Sequence, residues 1–273
     1  MSTQGSYMVN TTIGNVDREF QRLRTQAQLT WKKEARTLSW LGLQEDMSVI
    51  ELGSGPGFTT EQLLSLLPNG SVIAVEVDPV MVKHAKQYLQ DVSEDRVKII
   101  EASIMDTGLP DNSFDFAYAR LIFQHLPDPV GAAKEVLRVL KPGGKIIISD
   151  QDDDYSYVLD PPMPEFQLVF EKIDQIQKNW GGNGRIGRQL LRILKEAGFH
   201  NVDLEAIISH SEMHRIEDFF KALDPEVVSQ VFVNAGLLIE NLVEDYKHAI
   251  EKFVTLPNSC FLFVMLMGYG EKP

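Results

Sequence analysis

The sequence contains a single cysteine, Cys260, among its 273 residues. One cysteine excludes an internal disulfide framework and any metal site built from several thiolates. We therefore expect a protein of the reducing cytoplasm, and we predict no metal site.

Long apolar runs are also missing. No stretch reaches the roughly 20 apolar residues that a membrane-spanning helix needs. The first seven residues are mostly polar, so we expect neither a membrane span nor a signal peptide. With 44% hydrophobic residues, the chain can bury one large core, or one core and a lid.

Positive charge is scarce. The sequence has 26 Lys and Arg residues against 39 Asp and Glu residues, which gives a formal net charge of -13. A chain this acidic needs a concentrated basic patch to bind nucleic acid, and basic residues cluster only at Arg22 with Arg24 and at Lys32 with Lys33. We expect no nucleic-acid partner.

What the sequence does have is a series of glycines at alternate positions, Gly53, Gly55 and Gly57, between an apolar run and leucines at helical spacing. This pattern predicts a strand, a tight loop and a helix. Glycines allow the loop to turn sharply and a ligand to approach its backbone, while the helix start favours a negative ligand group. A second apolar run ends at Glu76, where a carboxylate can accept ribose hydroxyls. We predict a site for a nucleoside-bearing cofactor.

Neighbouring residues distinguish between cofactors. A dinucleotide-binding loop has glycine or alanine where Phe58 stands, and a P-loop needs a lysine that this loop lacks. Glu51 is out of place beside phosphates but suits a cationic ligand end, such as an amino group or a sulfonium. Together with the three glycines, Glu51 resembles the acid-x-Gly-x-Gly-x-Gly motif of the class I S-adenosylmethionine (SAM) dependent methyltransferases.

Strand and helix patterns alternate between residues 48 and 150, which predicts a parallel sheet with right-handed crossovers. The resemblance implies an α/β fold with a Rossmann-like, seven-stranded methyltransferase sheet, mostly parallel, whose last strand is antiparallel. The predicted strands are 48–52, 72–76, 97–101, 114–119, 145–149, 202–208 and 260–267. The helices predicted between the first five strands are 59–67, 79–90 and 130–140.

Two further segments flank this core. We predict an N-terminal helical cover over residues 1–46, and a SAM-binding domain over 47–273 with cap insertions at about 151–184 and 212–256. Apolar residues at helical steps between 17 and 40 indicate one or two helices, which either pack on the sheet edge or cover the cofactor. A bacterial group of small-molecule methyltransferases begins similarly, and its pattern is matched by Tyr7, Glu19, Arg22, Leu23 and Gln26.

Later stretches resemble methyltransferases of the ubiquinone/menaquinone type. Where that family has an adenine-binding aspartate, this chain has Ser103. Either the Ser103 hydroxyl accepts the hydrogen bond from the adenine amino group, or Asp106 assists it. The alternative interpretation of this segment is a turn without a role in binding. Arg120 matches a family position near the methionine part of the cofactor. The resemblance assigns cofactor binding to Gln26, Glu51, Gly53, Ser54, Gly55, Gly57, Glu76, Val77, Ser103, Ile104, Arg120 and His125.

The other polar candidates keep two interpretations each. His125 is either a general base, because an ordinary histidine titrates near neutral pH, or a packed residue at a helix start. The acidic stretch 150–154 is either a solvated loop or a set of carboxylates that orient an amine substrate or a divalent ion. We predict a substrate pocket lined by Tyr7, Tyr155, Trp180 and Arg188, with His125 beside it.

The resemblance implies methyl transfer from SAM to O, N or C of a small organic acceptor, with S-adenosylhomocysteine as product. Because a sulfonium methyl group is already activated, the main tasks are alignment and exclusion of water, and a general base is not required. The alternatives are a SAM-binding protein with a non-methylating reaction such as cyclisation, and a protein methyltransferase. The sequence identifies neither the acceptor nor the oligomeric state.

Overall fold

The computed structural model describes residues 6–7, 15–237 and 239–273. The strands are β1 (Ser48–Leu52), β2 (Ser71–Glu76), β3 (Val97–Glu101), β4 (Phe114–Arg120), β5 (Leu140–Asp150), β6 (Tyr157–Asp160), β7 (His200–His210) and β8 (Cys260–Glu271). The helices are α1 (Val16–Trp40), α2 (Phe58–Leu66), α3 (Pro79–Tyr88), α4 (Pro129–Val139), α5 (Pro164–Asn179), α6 (Leu190–Ala197), α7 (Ile216–Ala222), α8 (Pro225–Asn234) and α9 (Glu240–Thr255).

In these ranges the strands form one eight-stranded sheet in the order β3-β2-β1-β4-β5-β8-β6, with β7 also paired to β8. Strands β1 to β5 pair in parallel, and β8 is antiparallel to its neighbours. The predicted mostly parallel sheet with an antiparallel last strand is therefore confirmed. The count of seven is corrected, because β6 lies inside the segment predicted as a cap and pairs with the start of β8.

The strand order reverses between β1 and β4, which are neighbours in the sheet although β2 and β3 lie between them in sequence. Leu52 at the end of β1 pairs with Ala119 near the end of β4. The helices that follow these two strands pack on opposite faces, since Leu63 of α2 and Ala132 of α4 belong to different core clusters. This arrangement leaves a crevice at the carboxyl edge, which is where ligands bind in such sheets.

Both faces of the sheet are covered by helices. On one face Ile50, Leu52 and Ile148 pack with α4 and α6, and on the other Val49 and Ile147 pack with the remaining helices. Strands buried on both sides need consecutive apolar residues, such as Val49 and Ile50 in β1 and residues 146–148 in β5. This two-sided burial holds the strand ends in place and thereby fixes the crevice.

Helix α1 is one continuous helix, which begins where the Asn15 side chain accepts a hydrogen bond from the Arg18 N–H. It contacts α7, α2 and β7 and buries Ala27, Leu29 and Leu38. The helix both packs beside the sheet and faces the crevice, so the two interpretations of this segment are combined. The domain boundary at residue 46 stays a prediction.

The segments predicted as caps carry β6 with α5, and α7 with α8 and α9. Helix α5 packs on α8 and α9, so the two segments form one layer, here called the cap layer. Its exact boundaries stay predictions. Among the described residues, no helix combines the length and apolar character required to cross a membrane.

Candidate active site

The glycine loop after β1 forms one side of the crevice. Gly53 and Gly55 have φ values of +66° and +55°, a region in which most side chains are strained. A Cβ on Gly53 would lie 2.6 Å from Cγ1 of Ile122, whereas a Cβ on Gly55 would meet nothing within 4 Å. Gly53 is thus required by protein packing, while Gly55 leaves open space in the crevice.

Glu76 fixes this loop from the end of β2. Its Oε2 accepts the Gly55 N–H at 2.8 Å, and its Oε1 accepts the N–H groups of Val77 and Asp78 at 2.8 and 2.9 Å. The carboxyl group is buried, and this burial raises its pKa above the ordinary value despite the three donors. A carboxylate has about four acceptor sites, so capacity for a ligand hydroxyl remains.

The crevice contains a cavity of about 160 Å³. It brings together most of the residues predicted to bind the cofactor, which come from α1 and from the loops after β1, β2, β3 and β4. The predicted residues that line it are Gln26, Gly53, Ser54, Gly55, Glu76, Val77, Ser103, Ile104, Arg120 and His125.

Glu51 and Gly57 do not line this cavity. Glu51 is buried beneath the loop, where its Oε2 accepts the Thr60 hydroxyl at 2.5 Å. Burial raises the pKa of Glu51 to about 8, so the group favours its protonated, uncharged form at neutral pH. The predicted contact with a cationic ligand end is therefore corrected. Gly57 lies where α3 approaches the loop, and a Cβ there would be 3.3 Å from Cβ of Ala85.

The chemistry of the cavity fits an adenosyl cofactor. Ser54 is buried and lines the cavity, and its hydroxyl oxygen has no hydrogen-bond partner among the described residues. A buried hydroxyl without a partner is costly, and a ligand with polar atoms would remove that cost. Ser54, the open side of Gly55 and the remaining capacity of Glu76 lie in one cavity, as a ribose-bearing ligand requires.

Arg120, at the end of β4, is held by α1. Its Nη2 donates to the Gln26 carbonyl oxygen at 3.0 Å and to the Thr30 hydroxyl at 2.9 Å, and its Nε pairs with Glu34. Glu34 was missed by the sequence reasoning. Its signal was present, because Gln26, Thr30 and Glu34 recur at every fourth residue and form a polar stripe on α1.

A second cavity, of about 190 Å³, lies next to the first. The two share Tyr7, Arg22, Gln26, Gln124 and His125 as lining residues. Trp180 lines the second cavity, so the structure brings Tyr7, Trp180 and His125 together. The apolar part of its wall comes from β6, α5, α8 and the segment before α8: Tyr157, Phe170, Ile173, Ile176, Trp180, Ala222, Leu223, Val227, Val228 and Val231.

His125 stands in the shared wall, within a 3₁₀ turn. Its Nδ1 lies 2.9 Å from the Ser6 hydroxyl. Burial, with the positive charge of Arg22 as a second cause, lowers the pKa of His125 to about 4. A general base works best with a pKa near the working pH, so this imidazole is neutral at pH 7 and only a weak base. Its role in the reaction stays a prediction.

Tyr155 and Arg188 do not line either cavity, which corrects their place in the predicted substrate pocket. Tyr155 is 63% exposed, and the Arg188 guanidinium lies 5.0 Å from its ring centre. Arg188 forms ion pairs with Asp152 and Asp154. The sequence could not show this, because the arginine and the aspartates lie in different segments.

The acidic stretch 150–154 is only partly solvated, since Asp154 is exposed. Asp150 and Asp152 are fully buried, and Arg185 pairs with Asp154 at 2.9 Å. The carboxylates of Asp152 and Asp154 therefore bind arginines of the chain itself. Asp150 instead accepts the N–H groups of Gln124 and Gln151, and so supports the turn that carries His125.

Comparison with known proteins agrees with this site. Residues 50–148 match the methyltransferase-domain family. The chain is 34% identical over 155 residues to a 37.1 kDa protein in transposon TN4556 of Streptomyces fradiae, described as uncharacterised; the match covers 56% of this chain and 43% of that protein. It is 26% identical over 214 residues to a demethylmenaquinone methyltransferase of Staphylococcus aureus, covering 71% of this chain and 86% of that protein.

The fold is also found in a solved structure of phosphoethanolamine N-methyltransferase 2 from Haemonchus contortus in complex with S-adenosyl-L-methionine. That structure superposes with a TM-score of 0.56 at 19% identity, covering 89% of this chain and 53% of that one. The cavity, its buried serine and its acid at the end of β2 agree with the family match in the same segment. Residues 50–148 thus match a methyltransferase domain, and the chain shares the fold of this solved methyltransferase.

Proposed function

We propose that the enzyme transfers the methyl group of SAM to a small, uncharged and largely apolar acceptor held in the second cavity. The observation that carries this proposal is the wall common to the two cavities. Because both spaces reach Tyr7, Arg22, Gln26, Gln124 and His125, a cofactor in the first and an acceptor in the second meet there.

The first cavity is assigned to the cofactor. When bound, SAM supplies a methyl group that is activated by its sulfonium charge. In this assignment Glu76 accepts a ribose hydroxyl, Ser103 and Ile104 border the adenine, and Arg120 lies by the methionine part. The complete set is Gln26, Gly53, Ser54, Gly55, Glu76, Val77, Ser103, Ile104, Arg120 and His125.

The charge balance of the second cavity favours an uncharged acceptor. Nε and Nη2 of Arg22 donate to the two carboxylate oxygens of Glu19, at 2.7 Å each, and the Tyr7 hydroxyl also donates to Glu19. Asp224 is paired with Arg18 at 2.6 Å. His125 is neutral because its pKa is lowered. Among the described lining residues no charge is left to compensate an ion, and burying an uncompensated ion is costly.

The protein contributes alignment and exclusion of water. Residues 6–7 cover the shared wall, where the Ser6 N–H donates to the His125 carbonyl oxygen at 2.9 Å, and α1, α5 and α8 surround the space. Holding a nucleophile in line with an activated methyl group contributes several kcal/mol through effective concentration. This supports catalysis without a strong base, consistent with the low pKa of His125.

The test is transfer of a labelled methyl group. The enzyme is incubated with SAM that carries a deuterated methyl group, in parallel with naphthol, a primary alkylamine, a short duplex DNA and a mixture of peptides. We expect the label on naphthol, detected by mass spectrometry together with S-adenosylhomocysteine. Transfer to the charged amine or to a macromolecule instead of naphthol contradicts the proposed acceptor class. Label that stays on the cofactor with every acceptor contradicts methyl transfer and supports a non-methylating reaction.

A further inference from the structure

Gln124, in the wall between the two cavities, is held from three directions. Its backbone N–H donates to Asp150 at 3.2 Å, at the end of β5. Its carbonyl oxygen accepts the Asn183 N–H at 2.7 Å. The amide of Gln177, on α5, reaches its side chain from the cap layer. This residue was not singled out from the sequence, where it stands as an ordinary polar neighbour of His125.

The orientation of the Gln124 amide follows from its contacts. Nε2 of Gln177 lies 3.3 Å from the Gln124 carbonyl oxygen and 3.1 Å from Gln124 Oε1. A backbone carbonyl can only accept, so the Gln177 atom beside it must be the NH₂ group. In the Gln124 amide, only the oxygen can accept a hydrogen bond from this NH₂ group. The Gln124 NH₂ group therefore points away from Gln177, and the usual ambiguity of amide assignment is removed.

The Gln124 NH₂ group has no hydrogen-bond partner among the described residues, although the residue is only 6% exposed. Gln124 lines both cavities. The buried side-chain atoms without a partner among the described residues are Ser54 Oγ, Gln62 Oε1 and His214 Nε2, so the Gln124 NH₂ group is not sealed in protein but opens into the cavity space. A ligand that fills this space and offers no acceptor leaves the donor unpaired, which is unfavourable. A donor left free at the place where cofactor and acceptor meet has the position of a ligand contact.

We propose that Gln124 is a specificity-determining residue that donates a hydrogen bond from Nε2 to an uncharged oxygen of the methyl acceptor, and that Gln177 is the positioning residue that orients it. This inference rests on the proposed function. The acceptor class it names is an apolar molecule with a hydroxyl or carbonyl oxygen. A donor that faces the acceptor's cavity discriminates against an analogue that lacks the oxygen, because the bound analogue excludes water and leaves the donor unpaired.

Two probes of similar shape test the proposal: naphthol, which has the oxygen, and naphthalene, which lacks it. Each is titrated by calorimetry into the full chain saturated with S-adenosylhomocysteine. We expect the wild-type protein to prefer naphthol by about tenfold, the usual effect of one hydrogen bond. Gln124→Met keeps the approximate shape, removes the donor and should reduce this preference to about twofold or less. Gln177→Met should reduce it partly, because the Gln124 amide is then free to rotate.

Gln175→Met is the matched control, since Gln175 is an exposed residue on the same helix as Gln177. It should retain the full preference. A measurement on the wild-type protein avoids any loss of folding in the variants: the side-chain amide signals of Gln124 in a ¹⁵N-labelled sample should shift with naphthol and stay unchanged with naphthalene.

The outcomes are distinguishable from those of the proposed function. If S-adenosylhomocysteine and naphthol bind but Gln124→Met retains the naphthol preference, or if naphthol leaves the Gln124 amide signals unshifted, the inference about Gln124 is overturned and the proposed function stands. If naphthol fails to bind, the inference and the proposed acceptor class are both overturned, while the cofactor assignment stands. If S-adenosylhomocysteine does not bind the wild-type protein, the function itself is contradicted.

Discussion

Nε of Arg120 lies 3.0 Å from Oε2 of Glu34, and both side chains are buried. Glu34 also accepts hydrogen bonds from the hydroxyls of Thr30, Tyr118 and Ser149. The N-terminal helix thus provides the counter-ion for an arginine at the edge of the cofactor cavity. This ion pair connects α1 to β4 and makes the helix part of the site.

Removing Glu34 should destabilise the fold. In Glu34→Gln the buried Arg120 loses its counter-ion, and breaking a buried pair typically costs about 3 to 5 kcal/mol. Urea denaturation followed by circular dichroism measures the change in the free energy of unfolding. The double variant Glu34→Met, Arg120→Met should recover much of that loss, because both charges are absent. A loss below about 1 kcal/mol in Glu34→Gln, the range of exposed pairs, would contradict a buried ion pair.

Gly55 and Gly108 offer a matched pair of variants. Both have positive φ, +55° and +65°, and a Cβ at either position meets nothing within 4 Å, but only Gly55 lines the cofactor cavity. Alanine at each position should cost about 1 to 2 kcal/mol of stability, the penalty for a left-handed conformation.

Only Gly55→Ala should also weaken S-adenosylhomocysteine binding, by about tenfold, because its methyl group projects into the space for the ligand. Calorimetric titration of both variants makes the comparison. Equal affinities in Gly55→Ala and Gly108→Ala would show that the ligand does not approach this glycine.

Glu76→Ala should weaken S-adenosylhomocysteine binding by about 1 to 3 kcal/mol, the usual cost of losing hydrogen bonds to a charged group. The variant also removes the acceptor of the Gly55 N–H, so the loop itself loses a constraint. Glu94→Ala, at an exposed position before β3, is the control and should bind normally. Unchanged affinity in Glu76→Ala on calorimetric titration refutes the assigned role.

The pKa of His125 should appear in a pH titration. Burial and Arg22 lower this pKa from the ordinary 6.5 to about 4, so the unfolded chain takes up a proton before the folded chain does. The contribution of His125 to stability is complete above pH 6.5 and is lost as the pH falls from about 6.5 to 4.

The difference in unfolding free energy between wild type and His125→Gln isolates this effect from the other titrating groups. That difference should be constant above about pH 6.5. Below this pH the wild-type protein should lose stability relative to His125→Gln. The ring proton signals of His125 in nuclear magnetic resonance spectra should titrate near pH 4. A midpoint near 6.5 would instead restore the interpretation of His125 as a general base.

The sequence by itself determined the α/β fold and the position of the cofactor loop. The alternate glycines from 53 to 57, the apolar runs of β1 and β2 and the acid at position 76 are local patterns, and each specifies its backbone conformation through residues a few positions apart. Most of the predicted cofactor residues line one cavity for this reason, because parallel strands bring their following loops to a common edge.

Tertiary structure decided which side chains reach that cavity. Glu51 belongs to the glycine motif but is buried against Thr60, Arg188 pairs with aspartates of another segment, and β6 forms only because β8 is available beside it. Gln124 shows the same dependence, since its amide is oriented by Gln177 from the cap layer. Direction and burial of a side chain depend on partners far away in sequence, and no local pattern specifies those partners.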